Sequence, residues 1–436
     1  MSPPPSPKCA TGATIPFSSS KHRRLAPHRV GSWASLPQDL VELIGWRVVA
    51  GDLLDYVRFR AVCTHWNSST VHPRGRGLVD PRFHPRRWMM LSEGHGLYPF
   101  HPNLGGYVRF FNLSTGAFVR VHLPLFDDHV LLDSTDGLLL VLLHRDHDIA
   151  IRLLHPFTGD IAELPPLSSL LPQMEHYGNM SEDCKLRELR FYLRGVCAAV
   201  SVSAAGAITV MLALDTRRRV AHAMAGDQRW TLSDWKLPFL LASTMSFQGK
   251  LYAVSPKSRH YENNVHIWHI DPPQPNAGDS HLLSLQPARI IAECPVLGTM
   301  STVHLVVYRL TDLICGTVAP ITNIGEHALF LGQRALCVSS NKGLPSVLGN
   351  SITCSYRLPI HDPQAGRRAL RPIEHYHLGN GTWSPAIPMD NPPASPYMLV
   401  HHIFTCCYRN HWNKGLMFHG EIRPDWWVKP NLWLGS

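Results

Sequence analysis

The sequence predicts a mainly-β fold, a β-propeller of six to eight blades, preceded by a small all-α module. The chain holds 36 prolines and 31 glycines among 436 residues, which favours many turns over long helices. One short phrase recurs at the spacing of a propeller blade, whereas a run near the N-terminus has the apolar spacing of helices. The chain is also longer than one hydrophobic core usually organises, so two folding units are expected.

Residues 1–32 are expected to form a disordered tail. They are rich in Pro and Ser, and such a segment buries too little apolar surface to offset the entropy of ordering. Two other interpretations stay open. The cluster from Lys21 to Arg24 is a candidate nuclear signal, and the Ser-rich, acid-free composition is also that of an organelle transit peptide.

Residues 33–70 predict two or three short helices. Ser35 and Gln38 have the spacing of a capping box at the start of the first helix, where Pro37 is tolerated. Apolar residues follow at helical spacing, namely Leu36, Leu40, Leu43 and Ile44. Gly51 is a suitable stop, and Asp52 can cap a second helix. The module is too small to be stable alone.

The net charge of +9 is concentrated near the N-terminus. Residues 1–35 contribute +5, and the segment 71–87, a basic linker, contains five arginines and one acidic residue. The part of the chain after residue 87 carries only +1. Because a duplex-binding surface must neutralise several phosphates, this charge distribution argues against a nucleic-acid partner, with the linker as the one candidate.

Residues 88–425 predict the propeller, and 426–436 a C-terminal tail. The phrase ending at Gly116 resembles the phrase ending at Gly159, 43 residues later. Propeller blades of four strands recur at roughly 40 to 50 residues, so roughly 350 residues allow six to eight blades. Two further segments, 133–142 and 246–254, each place a turn before an apolar strand.

The helical segment resembles an F-box, a module that docks onto the Skp adaptor of cullin-type ubiquitin ligases. The matching positions are Leu36, Pro37, Leu40, Ile44, Asp52, Leu53, Val62, Cys63 and Trp66. The resemblance implies an apolar helical face that binds the adaptor through Leu36, Pro37, Leu40, Ile44, Leu53, Val62, Cys63 and Trp66. The apolar run 45–51 is longer than the usual F-box loop at this place.

The remainder resembles the KIB-type β-propeller, a plant domain of unknown function that commonly follows an F-box. The resemblance rests on the phrases at 111–116, 133–139, 154–165 and 325–332. Together the two resemblances cover about residues 33–420, in the order that F-box proteins of this kind show. They imply a substrate adaptor that holds a client protein.

Catalytic and metal sites are not expected. The histidine pairs lack the H-E-x-x-H pattern, and His266 and His269 would point to opposite faces of a strand. Asp133 and Asp136 occupy turn positions, where they stabilise the backbone. The ten cysteines show no C-x-x-C spacing, which indicates reduced, intracellular thiols. No run approaches the roughly 20 apolar residues of a membrane span.

The sequence therefore predicts a non-catalytic substrate-recognition subunit of a Skp-cullin-F-box ligase, without cofactor, metal, nucleic-acid or membrane partner, in the nucleus or cytoplasm. The client is unknown, because propeller loops vary freely and fold does not fix function. An alternative is a propeller interaction module without ligase function. A propeller hydrolase would require carboxylates that converge in the central channel.

Overall fold

The computed structural model describes residues 33–91, 106–174, 180–354, 373–386 and 399–407, with short gaps inside the second and third ranges. The predicted tails, 1–32 and 426–436, lie outside these residues. The described part is mainly β, as predicted, and consists of five propeller blades with a helical module at the N-terminal end. Within it, no helix combines the length and the apolar character needed to cross a bilayer.

The helical module contains α1 (Gln38–Gly51), α2 (Leu53–Arg60) and α3 (Thr64–Ser68), with short 3-10 helices at Trp33–Ser35 and Pro81–Phe83. The predicted capping box is wrong, because α1 begins only after Pro37, which caps it without a side-chain hydrogen bond. The residue before a proline is disfavoured in the α region, so the helix cannot extend back to Ser35. The end of α1 at Gly51 and the capping of α2 by Asp52 are as predicted.

The first three blades follow one another along the chain. Blade 1 contains β1 (Trp88–Met90), β2 (Tyr107–Asn112) and β3 (Phe118–His122). Blade 2 contains β4 (His129–Thr135), β5 (Leu138–Leu143), β6 (Ile151–Leu154) and β7 (Ile161–Leu164). Blade 3 contains β8 (Cys197–Val202), β9 (Ile208–Leu214), β10 (Arg219–Met224) and β11 (Thr231–Leu232). All neighbouring strands in these sheets are antiparallel.

The last two blades carry insertions. Blade 4 contains β12 (Ser243–Phe247), β13 (Lys250–Pro256), β14 (Asn264–Ile270) and β17 (Arg289–Pro295), with the hairpin β15 (Gln274–Asn276) and β16 (Asp279–Ser284) inserted before its last strand. Two small hairpins and a helix follow, β18 (Gly298–Thr299), β19 (Thr302–Val303), β20 (Val307–Tyr308), α4 (Leu310–Ile314) and β21 (Pro320–Ile321). Blade 5 contains β22 (His327–Leu331), β23 (Ala335–Ser339), β24 (Ser351–Cys354), β25 (Glu374–His377) and β26 (Thr382–Pro385), and α5 (Leu399–Cys406) comes last. Strands β22 and β24 pair in parallel.

The five blades correct the expected six to eight. That expectation divided the chain by a 43-residue period as if every residue belonged to a blade. Two segments that contain described residues lie outside the blades: the stretch between blades 2 and 3, which includes a 3-10 helix at Leu167–Gln173, and the insertion between blades 4 and 5, which includes β18 to β21. The inserted hairpin of blade 4 takes up further length.

Hydrophobic clusters join blades 1 to 4 in order and join blade 5 to blade 1. One cluster lies between blades 2 and 3 around Leu140, Leu212 and Trp230, and others join blades 1 and 2 and blades 3 and 4. Blade 5 packs on blade 1 through Phe330 and Phe111, which share a cluster with α5. The Ser339 N–H also donates to the blade 1 loop. The last blade therefore contacts the first.

The 43-residue repeat corresponds to two hairpin turns of the same form, one in blade 1 and one in blade 2. In the β2–β3 turn, Asn112 Oδ1 accepts hydrogen bonds from two backbone N–H groups, and Gly116 has a φ of 75°. In the β6–β7 turn, His155 Nδ1 accepts the two equivalent bonds, and Gly159 has a φ of 76°. The left-handed conformation explains the glycine at both positions. An imidazole therefore replaces an amide in the same turn.

Candidate protein-interaction site

The face of helix α1 that is buried inside the helical module is not the face that the sequence predicted. Its buried positions are Val41, Gly45 and Val49. The predicted apolar stripe points elsewhere, since Leu40 is 44% exposed and Leu43 is 50% exposed. Exposed leucines one helical turn apart form an apolar surface of the kind that binds partner proteins.

Further apolar side chains of the helical module are also exposed. Val62 is 61% exposed and Trp33 is 73% exposed. Two hydrogen bonds hold the start of the module against α3, one from Trp66 Nε1 to the Trp33 carbonyl at 3.1 Å and one between the His65 ring and the Leu36 carbonyl at 2.8 Å. We refer to the exposed side chains of Trp33, Leu40, Leu43 and Val62 as the apolar face.

The other residues predicted to bind the adaptor differ in their exposure to solvent. Pro37 is exposed, and Leu36, Ile44, Cys63 and Trp66 are half-buried. Trp66 stacks on Phe59, with ring centroids 4.4 Å apart, and Cys63 Sγ accepts the Trp66 N–H. Leu53 is 5% exposed and packs inside the module with Val49, Tyr56 and Phe83, so it stabilises the helices and is not presented to a partner.

Asp52 connects the helical module to the propeller. One carboxylate oxygen accepts the Leu54 N–H at 2.8 Å and so caps α2. The other oxygen accepts Trp88 Nε1–H at 2.8 Å and Asn112 Nδ2–H at 2.7 Å, both from blade 1. Trp88 and Asn112 are 4% and 1% exposed, so this carboxylate satisfies buried donors. The sequence identified Asp52 as a cap and as an F-box motif position but did not predict these contacts, since no local signal reveals partners so distant in the chain.

The basic linker packs against blade 2. The Asp160 carboxylate accepts the backbone N–H groups of Gly75 and Gly77, each at 2.8 Å. Arg82 lies over the ring of Trp46, 3.8 Å from its centroid, and is paired with Asp80. The hydrogen bonds from Arg82 lower the pKa of Asp80. The linker therefore adds contacts that hold the helical module against the propeller.

Two buried histidines lie beneath the linker. The His155 ring accepts N–H groups at Nδ1, so Nε2 carries the proton that is donated to the Phe83 carbonyl at 3.0 Å. His84 Nε2 contacts the Leu78 carbonyl at 3.2 Å. Burial lowers the pKa of both imidazoles below 6.5. Both are structural groups at this interface.

A pocket of about 230 Å³ lies where one edge strand of each blade meets the others. These edge strands are β1, β4, β8, β12 and β23, and they contribute Met89, Asp133, Cys197, Ser246 and Leu336. Contributions from all five blades place the pocket on the propeller axis, so we refer to it as the axial pocket. The sequence did not predict it, because its residues come from segments far apart in the chain.

The aspartates that the sequence assigned to turns both line this pocket. Asp133 is 3% exposed, and its two oxygens accept the N–H groups of Ser134 and Ala198, which links blades 2 and 3. Asp136 lies in the β4–β5 turn with a φ of 52° and pairs with Arg86 at 3.5 Å. Both roles are structural. The turn interpretation is confirmed for Asp136 and is wrong for Asp133, which lies within β4 and accepts a hydrogen bond from the neighbouring blade.

Metal ligands do not cluster within the residues that the structure describes, where no group of three or more His, Cys, Asp or Glu side chains could hold an ion. His266 and His269, both on β14, contact different aromatic rings. The His266 ring meets Trp268 edge-on, whereas the His269 ring stacks on Tyr252.

Comparison with known families agrees with this architecture. The family model described as the KIB1-4 beta-propeller matches residues 110–375, which extend from blade 1 into blade 5. A comparison with curated proteins gave no match. The matched region excludes the helical module.

Proposed function

The chain belongs to the KIB1-4 β-propeller family, whose propeller suggests a protein-interaction module, and from this premise we propose that it is the substrate-recognition subunit of a Skp-cullin-F-box ubiquitin ligase. The helical module would bind the Skp adaptor as an F-box, and the propeller would bind a protein client. Such a subunit performs no bond chemistry, and this role places it in the nucleus or cytoplasm. It raises the effective concentration of the client near the transferring enzyme.

The apolar face is the observation that carries this proposal. Leu40, Leu43 and Val62 lie at 44 to 61% exposure on a module whose own core is filled by other residues. The motif positions that resemble an F-box include Leu40 and Val62. An adaptor that covers these side chains would remove apolar surface from water, which contributes roughly 25 cal/mol per Å².

The attachment of the module to the propeller also supports the proposal. A ligase must hold its client at a defined position relative to the adaptor. The contacts of Asp52 with blade 1 and of Asp160 with the linker fix the module at several points. Rigid attachment reduces the orientations that a bound client must search.

Binding of the full chain to a purified Skp adaptor tests this proposal. Leu40→Asp and Val62→Asp should each weaken binding by about tenfold or more, because a carboxylate would be buried against apolar adaptor surface. The matched controls are Leu348→Asp and Val318→Asp, at exposed residues of the same types outside the module, with exposures of 43% and 40%. The controls should bind normally.

Two results would contradict the ligase role: no adaptor binding by the unmodified chain, or equal binding by the Leu40→Asp variant and its Leu348→Asp control. The second candidate function, a propeller interaction module without ligase activity, would then be favoured. The helical module would in that case be a structural cap on the propeller. The burial of Leu53 and the filled module core are compatible with both functions.

A further inference from the structure

The axial pocket has an excess of negative charge. Asp133 and Asp136 contribute two carboxylates, and Arg86 contributes the one cation among its lining residues in the described part of the chain. Arg86 is 51% exposed on its side chain and lies 3.5 Å from Asp136, so this pair is an exposed one that contributes little energy. An incoming cation therefore meets the negative charge of both carboxylates, and Asp136 is the accessible acceptor of the two, because the oxygens of Asp133 accept backbone N–H groups.

The walls of the pocket suit a long side chain with a polar end. Thr135 and Ser246 place two hydroxyl groups 3.0 Å apart in the lining. Met89 and Leu336 are buried parts of the wall, while Met245 is 47% exposed. Lys and Arg side chains bury their methylene groups along apolar surface and keep the charged end in a polar environment.

The size of the pocket limits its occupant. At about 230 Å³ it is smaller than the roughly 300 to 1,000 Å³ of typical small-molecule sites. A single long side chain fits this volume. We propose that the axial pocket binds one Lys or Arg side chain from a protruding loop of a client protein. This deepens the proposed function by naming the chemistry of the client, and it requires no adaptor.

A library of disulfide-closed peptide loops, displayed on phage and selected on the full chain, provides a probe for this site. Loops that bind the axial pocket are those that lose binding on Met245→Trp, since Met245 is exposed in the lining and an indole would obstruct it. We expect these loops to share a Lys or Arg at one position. Synthetic loops with that residue changed to Gln should then bind at least fivefold more weakly.

Charge variants give opposite expected effects. Asp136→Asn removes one carboxylate and keeps a residue type that tolerates a positive φ, so affinity should fall about two- to fivefold. Arg86→Gln removes the competing cation and should raise affinity by a similar factor. Asp227→Asn, at an exposed turn in blade 3, is the matched control and should change nothing.

Three outcomes would overturn the proposal. Pocket-binding loops could fail to emerge, they could share acidic residues that depend on Arg86, or their affinity could be indifferent to both charge variants. Circular dichroism of each variant identifies any loss of fold. If Asp136→Asn is unstable, Arg86→Gln alone still tests whether removal of a positive charge raises the affinity for the loop. Because no adaptor is present, failure here is distinguishable from failure of the ligase role.

Discussion

Replacement of Asp52 by Ala should destabilise the whole chain rather than α2 alone. The change removes the cap from the Leu54 and Asp55 N–H groups and leaves the buried donors of Trp88 and Asn112 without their acceptor. Loss of a cap costs about 1 kcal/mol, and loss of a hydrogen bond to a charged group costs about 1.5 kcal/mol or more. The expected decrease in the free energy of unfolding is about 3 to 5 kcal/mol.

Asp52→Asn should be nearly as harmful, although it is isosteric. Asn112 cannot turn its amide, because its Oδ1 accepts the N–H groups of Ser114 and Thr115. Its Nδ2 therefore requires an acceptor at residue 52, as does the indole of Trp88. An amide at residue 52 cannot present an oxygen to the cap and to both donors at once.

Urea unfolding followed by tryptophan fluorescence measures these changes through the shift of the midpoint. The control is Asp55→Asn, whose carboxylate is 58% exposed and pairs with Arg58, and it should cost less than about 0.5 kcal/mol. Asp52→Asn combined with Asn112→Asp restores one donor–acceptor pair and should recover part of the loss. A decrease below about 1 kcal/mol for Asp52→Ala would refute the reasoning.

Three further predictions follow from the turns and the linker. Burial lowers the pKa of His155 below 6.5, so the stability that the neutral imidazole contributes is present above pH 6.5 and is lost as the pH falls. His155→Asn should therefore flatten the decrease in unfolding free energy between about pH 7.5 and 5.5. An unchanged slope would contradict the structural role of the neutral imidazole. Gly137→Ala should lower the free energy of unfolding by more than about 3 kcal/mol in urea, because the added Cβ overlaps the Pro85 carbonyl. Gly159→Ala has open space at a similar φ and should lower it by about 1 kcal/mol. Equal decreases for the two variants would refute this comparison. Asp160→Asn should speed tryptic cleavage in the basic linker, measured by mass spectrometry, and an unchanged cleavage rate would show that these hydrogen bonds do not restrain the linker.

Local features of the fold were accessible from the sequence. The stop at Gly51, the cap at Asp52 and the equivalent turns at Gly116 and Gly159 each depend on a few adjacent residues. Such features follow from backbone preferences that one residue type satisfies. The repeat of the turns, together with the resemblance to a known propeller family, predicted the propeller.

Features that depend on distant residues were not accessible. Periodicity marked Leu40 and Leu53 alike as apolar helix positions, yet only the packed structure exposes one and buries the other. The predicted number of blades was wrong because insertions between and within blades have no fixed period. The axial pocket needs the mutual position of five strands, which no local pattern contains.

The contacts of Asp52 also affect the order in which the protein can mature. The helices leave the ribosome first, but Trp88 follows Asp52 by 36 residues and Asn112 by 60, while Asp160 follows Gly75 by 85. The N-terminal module therefore cannot complete its contacts until blades 1 and 2 have been synthesised. Until then its apolar side chains lack these neighbours, and transiently exposed apolar surface is prone to aggregation. Residues 33–70 are consequently a poor unit for transfer onto another propeller.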